Sequence, residues 1–121
     1  MPLKTDLMKW TFLIIIFGLS ACNPQIKFDR KAWSTKEDFY PCACRQYMIE
    51  DLKRNYKLTG IKDKELIKIL GQPDQIDTSI ISYELIVDYG NSIDPIYTKT
   101  LHFKVDTNKN VLNFEITEWK R

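Results

Sequence analysis

The chain has 121 residues, 18 basic against 16 acidic, with one histidine, three cysteines and a net charge of +2 at neutral pH. A balance so near neutral gives no electrostatic footprint for nucleic acid and no polybasic patch for anionic lipid. The length fits one small domain.

The first residues read as an export signal. Lys4 and Lys9 give a positive start, diluted by Asp6, and residues 10–19 are apolar apart from Thr11 and Gly18. Such a run has signal-peptide length, about 7–15 residues, and falls short of the roughly 20 that span a bilayer. Leu19-Ser20-Ala21-Cys22 then reads as a lipobox, with Cys22 the acylated first residue of the mature chain. The competing readings are an ordinary N-terminal anchor helix and cleavage after Ala21 by the general signal peptidase. Each buried CH₂ of an acyl chain contributes about 0.8 kcal/mol, so two or more chains anchor stably. Asn23, not Asp, follows the cysteine, and no acidic cluster comes after it. This points to an outer membrane, facing the periplasm. Removing residues 1–21 takes away two lysines and one aspartate, which leaves about +1.

Residues 22–37 read as a tether and 38–121 as one domain. Phe28 and Trp33 are out of character for a tether. They either fold back onto the core or form a partner-binding peptide. The spacing predicts a helix over 41–56, with Pro41 in the first turn and Cys44, Met48, Leu52 and Tyr56 on its apolar stripe, widened by Ile49. Gly60 breaks the chain. A second helix is expected over Asp63–Leu70, ended by Gly71 and Pro73.

From Thr78 the period becomes two. Ile81, Tyr83, Leu85, Val87 and Tyr89 form one inward set, Leu101, Phe103 and Val105 a second, and Leu112, Phe114 and Ile116 a third. The last two strands form a hairpin through residues 107–110. The expected fold is α+β, with two N-terminal helices on one face of a three-stranded antiparallel sheet. Ile80, Ile86 and Trp119 are expected to point outward, on the other face.

Arg45-x-x-Met48-x-x-Asp51-Leu52, Leu58-x-Gly60 and Glu65-Leu66-x-x-Ile69-Leu70-Gly71-x-Pro73 together carry a resemblance. The pattern, over about Arg45 to Ile116, resembles small envelope lipoproteins of the SmpA/OmlA family, which includes a subunit of the β-barrel assembly machinery. The layout also resembles the β-lactamase-inhibitor-protein-like fold. The phrase Phe28-Asp29-x-x-x-Trp33 is similar to the lead of other lipoproteins with this layout. One departure is Lys62, where the family usually has a capping Ser or Thr; Asp63 is then expected to cap instead. The resemblance implies binding or scaffolding, not catalysis.

Cys42-Ala43-Cys44 is the one constellation that suggests chemistry. Exported thiols meet an oxidising compartment and tend to pair. On a helix, residues two apart point about 200° from each other, so a bridge requires residues 41–44 to be irregular. The alternatives are a redox switch, a bridge to another protein, a metal half-site, or a buried Cys44 beside a local disulfide or spare thiol. No zinc site is expected, because His102 is the only histidine. His102 reads as a surface residue with no serine to partner it. Glu50 and Asp51 diverge on their helix and share no site. Arg45 and Asp51 read as structural partners or solvated. No catalytic residue, cofactor or metal is expected.

Two functions follow. One is a non-catalytic protein-interaction or scaffolding module of the cell envelope, with Phe28, Trp33, Ile80, Ile86 and Trp119 as contact candidates. The other is a thiol-based redox or sensor protein using Cys42 and Cys44.

Overall fold

The computed structural model describes residues 24–37 and 40–121. The export signal, the lipobox and Cys22 lie outside them. Helix α1 (Arg30–Ser34) opens the domain, and Asp29 caps it by accepting from the Lys31 N–H at 3.1 Å. Trp33 on this helix is completely buried. The segment expected to be a tether as far as Glu37 therefore joins the core: an indole gains far more from burial than a polar lead gains from staying free.

Strands β1 (Lys36–Glu37) and β2 (Tyr40–Pro41) pair antiparallel. Pro41 thus sits in a strand, and helix α2 (Arg45–Asn55) begins later than its apolar spacing suggests. α2 buries Arg45, Met48, Ile49 and Leu52, while Tyr56, expected on the stripe, lies past the end and is exposed.

Helix α3 (Asp63–Leu70) matches its expected limits and buries Leu66 and Leu70. Gly71 follows with φ +82°. A Cβ there would lie 2.8 Å from Ser34 Oγ, so α1 approaches as closely as glycine allows. Asp63 is the first helical residue, not the cap, and Lys62 makes no side-chain cap bond. The helix start is held from outside: the Asp63 N–H donates to Lys109 O at 2.9 Å, and the Lys62 ammonium donates to Asn108 O at 2.8 Å.

The main sheet runs in the order β3 (Gln75–Ile76), β4 (Ile80–Asp88), β5 (Tyr97–Val105), β6 (Val111–Lys120), all antiparallel. The domain is α+β as expected; among the described residues it has three short helices, and the main sheet has a fourth strand, β3, beyond the expected three. Trp33, Met48, Leu52, Leu66 and Leu70 pack on Ile81, Tyr83, Leu85, Leu101, Phe103 and Val111. Burying one such side chain contributes roughly 1.5–3 kcal/mol.

Two bulges correct the alternation. The β4–β5 register shifts between Glu84 and Ile86, so Leu85 is buried and Ile86 also packs against the core. Ile86 does not point outward, and Val87 and Tyr89 instead line a cleft with Thr98. A second shift, between Lys104 and Val105, pairs Val105 with Val111. Val111 takes the buried place expected for Leu112, which is exposed.

Candidate functional site: the Cys42–Cys44 bridge and the Arg45 node

β2 ends at Pro41, and a turn through Cys42 and Ala43 leads into α2. The irregular lead-in that a Cys-x-Cys bridge requires is present: Cys42 and Cys44 form a disulfide with their Cα atoms 5.1 Å apart. The Arg45 N–H donates to Cys42 O at 3.1 Å, and the Cys44 N–H donates to Cys42 Sγ at 3.1 Å. Cys44 occupies the position just before α2 and makes no side-chain cap hydrogen bond. Both cysteines are half-buried and Ala43 between them is exposed. Cys44 packs on the edge of the core, with its sulfur 3.9 Å from Ala32 O on α1.

The bridge therefore lies at the N-terminus of an 11-residue helix. The positive end of the helix dipole favours negative charge there, and the Arg45 and Tyr47 N–H groups are already bonded to Cys42 O and Cys44 O.

The next residue, Arg45, is only 1% exposed. Its Nε donates to Trp33 O at 2.7 Å, and its Nη1 donates to Asp74 Oδ2 at 2.8 Å and to Glu84 O at 2.7 Å. Its guanidinium lies 5.0 Å from the Trp33 ring centre. Asp74, not Asp51, is its ionic partner. Burial alone would raise the Asp74 carboxyl. The Lys36 ammonium at 2.8 Å, the Glu84 N–H and Arg45 outweigh burial and hold it below the usual carboxylate range. Asp51 instead accepts from the Phe28 N–H at 2.8 Å and from Asn55, which lowers its pKa. One buried cation thus joins α1, α2, the segment after α3 and β4, directly beside the disulfide.

A second constellation went unread in the sequence. Register pairs Ser82 with His102, so Ser82 Oγ and His102 Nδ1 lie 2.8 Å apart, and His102 Nε2 lies 2.8 Å from Thr117 Oγ1. The serine and histidine are 20 residues apart, and only the strand register brings them together. An imidazole between two hydroxyls lacks the carboxylate that stabilises an imidazolium in acyl transfer. The row works as a cross-strand polar ladder.

The contact candidates scatter. Trp33 is buried, and Ile86 is partly buried and packs on the core. Phe28 is half-buried, edge-on to Trp33 and Tyr56. Ile80 at 39% and Trp119 at 51% are exposed. Among the described residues no three His, Cys, Asp or Glu side chains gather in a metal-binding group, and no helix is long and apolar enough to cross a membrane. Comparison with models of known families, with characterised proteins and with solved structures gives no match.

Proposed function

We propose that this chain is an exported, lipid-anchored protein of the cell envelope, tethered through Cys22, whose domain works as a thiol-based redox or sensor module through Cys42 and Cys44. One observation carries the reading: the bridge closes across a sequence separation of only two residues, directly before the start of α2. A bond over so short a loop removes little entropy from the unfolded chain. A helix N-terminus makes its sulfurs better leaving groups. A bridge that adds little to stability, yet is poised for exchange, fits a redox role better than a staple.

The test is a count of reactive thiols in the isolated acylated protein at neutral pH, before and after mild reductant. The reading expects no free thiols in the oxidised protein and two after brief treatment with millimolar thiol, with the fold retained. A bond that resists such reductant until the domain unfolds would overturn it.

A second reading keeps the interaction module, and a specific observation favours it. Among the described residues β6, ten residues long, has β5 as its one strand partner; Val111 at its start also bonds Gly60 and Ile61, and Trp119 is exposed near its other end. An open strand edge with an aromatic anchor suits β-strand addition by a partner. The resemblance to SmpA/OmlA lipoproteins rests on sequence pattern and supports this second reading. Pull-down from detergent-solubilised membranes tests it: a partner lost on pairing-disruptive substitution in β6 supports it, and an unchanged partner set counts against it.

A further inference from the structure

We infer that Cys42 is the sulfur that exchanges with substrate, that Cys44 is the sulfur that leaves, and that the substrate is an extended segment bearing two thiols, with a basic residue beside the attacking cysteine, seated in the cleft that begins at Pro41. The inference deepens the thiol reading above and rests on it.

The two sulfurs are not equivalent. Cys44 packs on the core against α1, whereas Cys42 lies in the turn between β2 and exposed Ala43. An incoming thiolate must approach a sulfur along the S–S axis, which favours the more peripheral one. Cys44, at the helix start, is the better leaving group. Pro41, the residue before Cys42, lines a cleft of about 570 Å³ together with Tyr40, Glu84, Val87, Tyr89 and Thr98. The volume is in the range of sites that hold small ligands or a few side chains. Tyr40 and Tyr89 stand edge-to-face in its wall, 5.5 Å between centres. The Glu84 carboxylate makes no hydrogen bond or ion pair among the described residues, although its backbone is bonded on both sides to the Arg45 node. Burial and the nearby Asp74 raise its pKa, so a cation arriving in the cleft relieves a charge held at a cost. A basic side chain next to the substrate cysteine supplies that cation.

In the exchange, a substrate thiolate attacks Cys42 Sγ. The Cys42–Cys44 bond breaks, its electron pair stays on Cys44 Sγ, and a mixed disulfide forms at Cys42. A second substrate thiolate attacks the substrate sulfur of that bond and releases Cys42 as a thiolate, which keeps the Cys44 N–H as donor. The substrate dithiol is oxidised to a disulfide, and the pair is reduced. The two substrate thiol protons end on Cys42 and Cys44.

The experiment uses the full mature chain and two short peptides, one with lysine and one with glutamate beside its cysteine, each activated as a mixed disulfide with thionitrobenzoate. Cys44→Ala, which leaves Cys42 free, should release thionitrobenzoate and retain the peptide. Cys42→Ala should do so several-fold more slowly. The lysine peptide should react faster than the glutamate peptide, and Glu84→Gln in the Cys44→Ala background should cut that ratio about fivefold. Faster trapping at Cys44, or a ratio unmoved by Glu84→Gln with the circular dichroism spectrum unchanged, overturns this inference and leaves the thiol reading standing. If neither cysteine reacts faster than free cysteine, the thiol reading itself falls.

Discussion

Reduction of the Cys42–Cys44 bond, followed by urea unfolding of the oxidised and reduced protein in mild detergent, separates a redox pair from a structural staple. The bond encloses three residues in sequence, for which loop-closure entropy gives ~1.6 kcal/mol at 25 °C. Two features lower that figure further in the reduced protein. Cys44 makes no side-chain cap bond in the bridged form, so a freed Cys44 sulfur becomes available to the N-terminal amides of α2. The Cys44 N–H also keeps Cys42 Sγ as acceptor. With a slope of about 2 kcal/mol per molar urea for a domain of this size, the midpoint should fall by less than about 1 M and the slope should stay constant. A loss above about 3 kcal/mol, in the range seen when native disulfides are removed from small secreted domains, would refute the reasoning. So would a change of slope, which would show that the fold loosens when the bond opens.

Arg45→Ala should destabilise the domain by about 3–5 kcal/mol, because it leaves Asp74 buried with only the half-exposed Lys36 as ionic partner and leaves Trp33 O and Glu84 O without their donor; chemical unfolding measures it. Asp74→Asn should lower stability and flatten its acid dependence. The folded-state pKa of Asp74 is depressed, so its contribution is present above the ordinary carboxylate value of 3.8 and is lost as pH falls below that value through the folded one; urea midpoints between neutral and acid pH check the sign. Trp33→Ala should cost about 3–5 kcal/mol, while Trp119→Ser should change stability by less than about 0.5 kcal/mol, both read from the same melts. Cys22→Ala should move the protein from the membrane to the soluble fraction on cell fractionation, since acyl chains on that sulfur are the proposed anchor.

The fold was most legible where local signals agree. α3 ends where Gly71 and Pro73 stop it, and Leu101, Phe103 and Val105 face the core as their alternation requires. It was least legible where long-range partners decide. Arg45 reads from the sequence as a structural partner of Asp51 or as solvated, and it is buried because Asp74, 29 residues away, balances its charge. Bulges move Ile86 and Leu112 off the faces that a strict period of two gives them. The candidate site was half visible. Cys42-Ala43-Cys44 stands out in the sequence, together with the condition its bridge imposes on residues 41–44. The cleft was not visible, because β2 and the β4–β5 loop build it from opposite parts of the chain. Glu84 reads as an ordinary outward strand residue until the hairpin of β1 and β2 is placed near it.

An exchanging Cys42–Cys44 pair, as proposed, differs from a fixed staple in how easily it is reduced. Its reduction potential, from the fraction oxidised across a series of glutathione redox buffers at neutral pH, tests this most directly. A potential clearly above about −300 mV, in the range of exchanging pairs, is expected. A potential below about −300 mV, where structural disulfides lie, would contradict it.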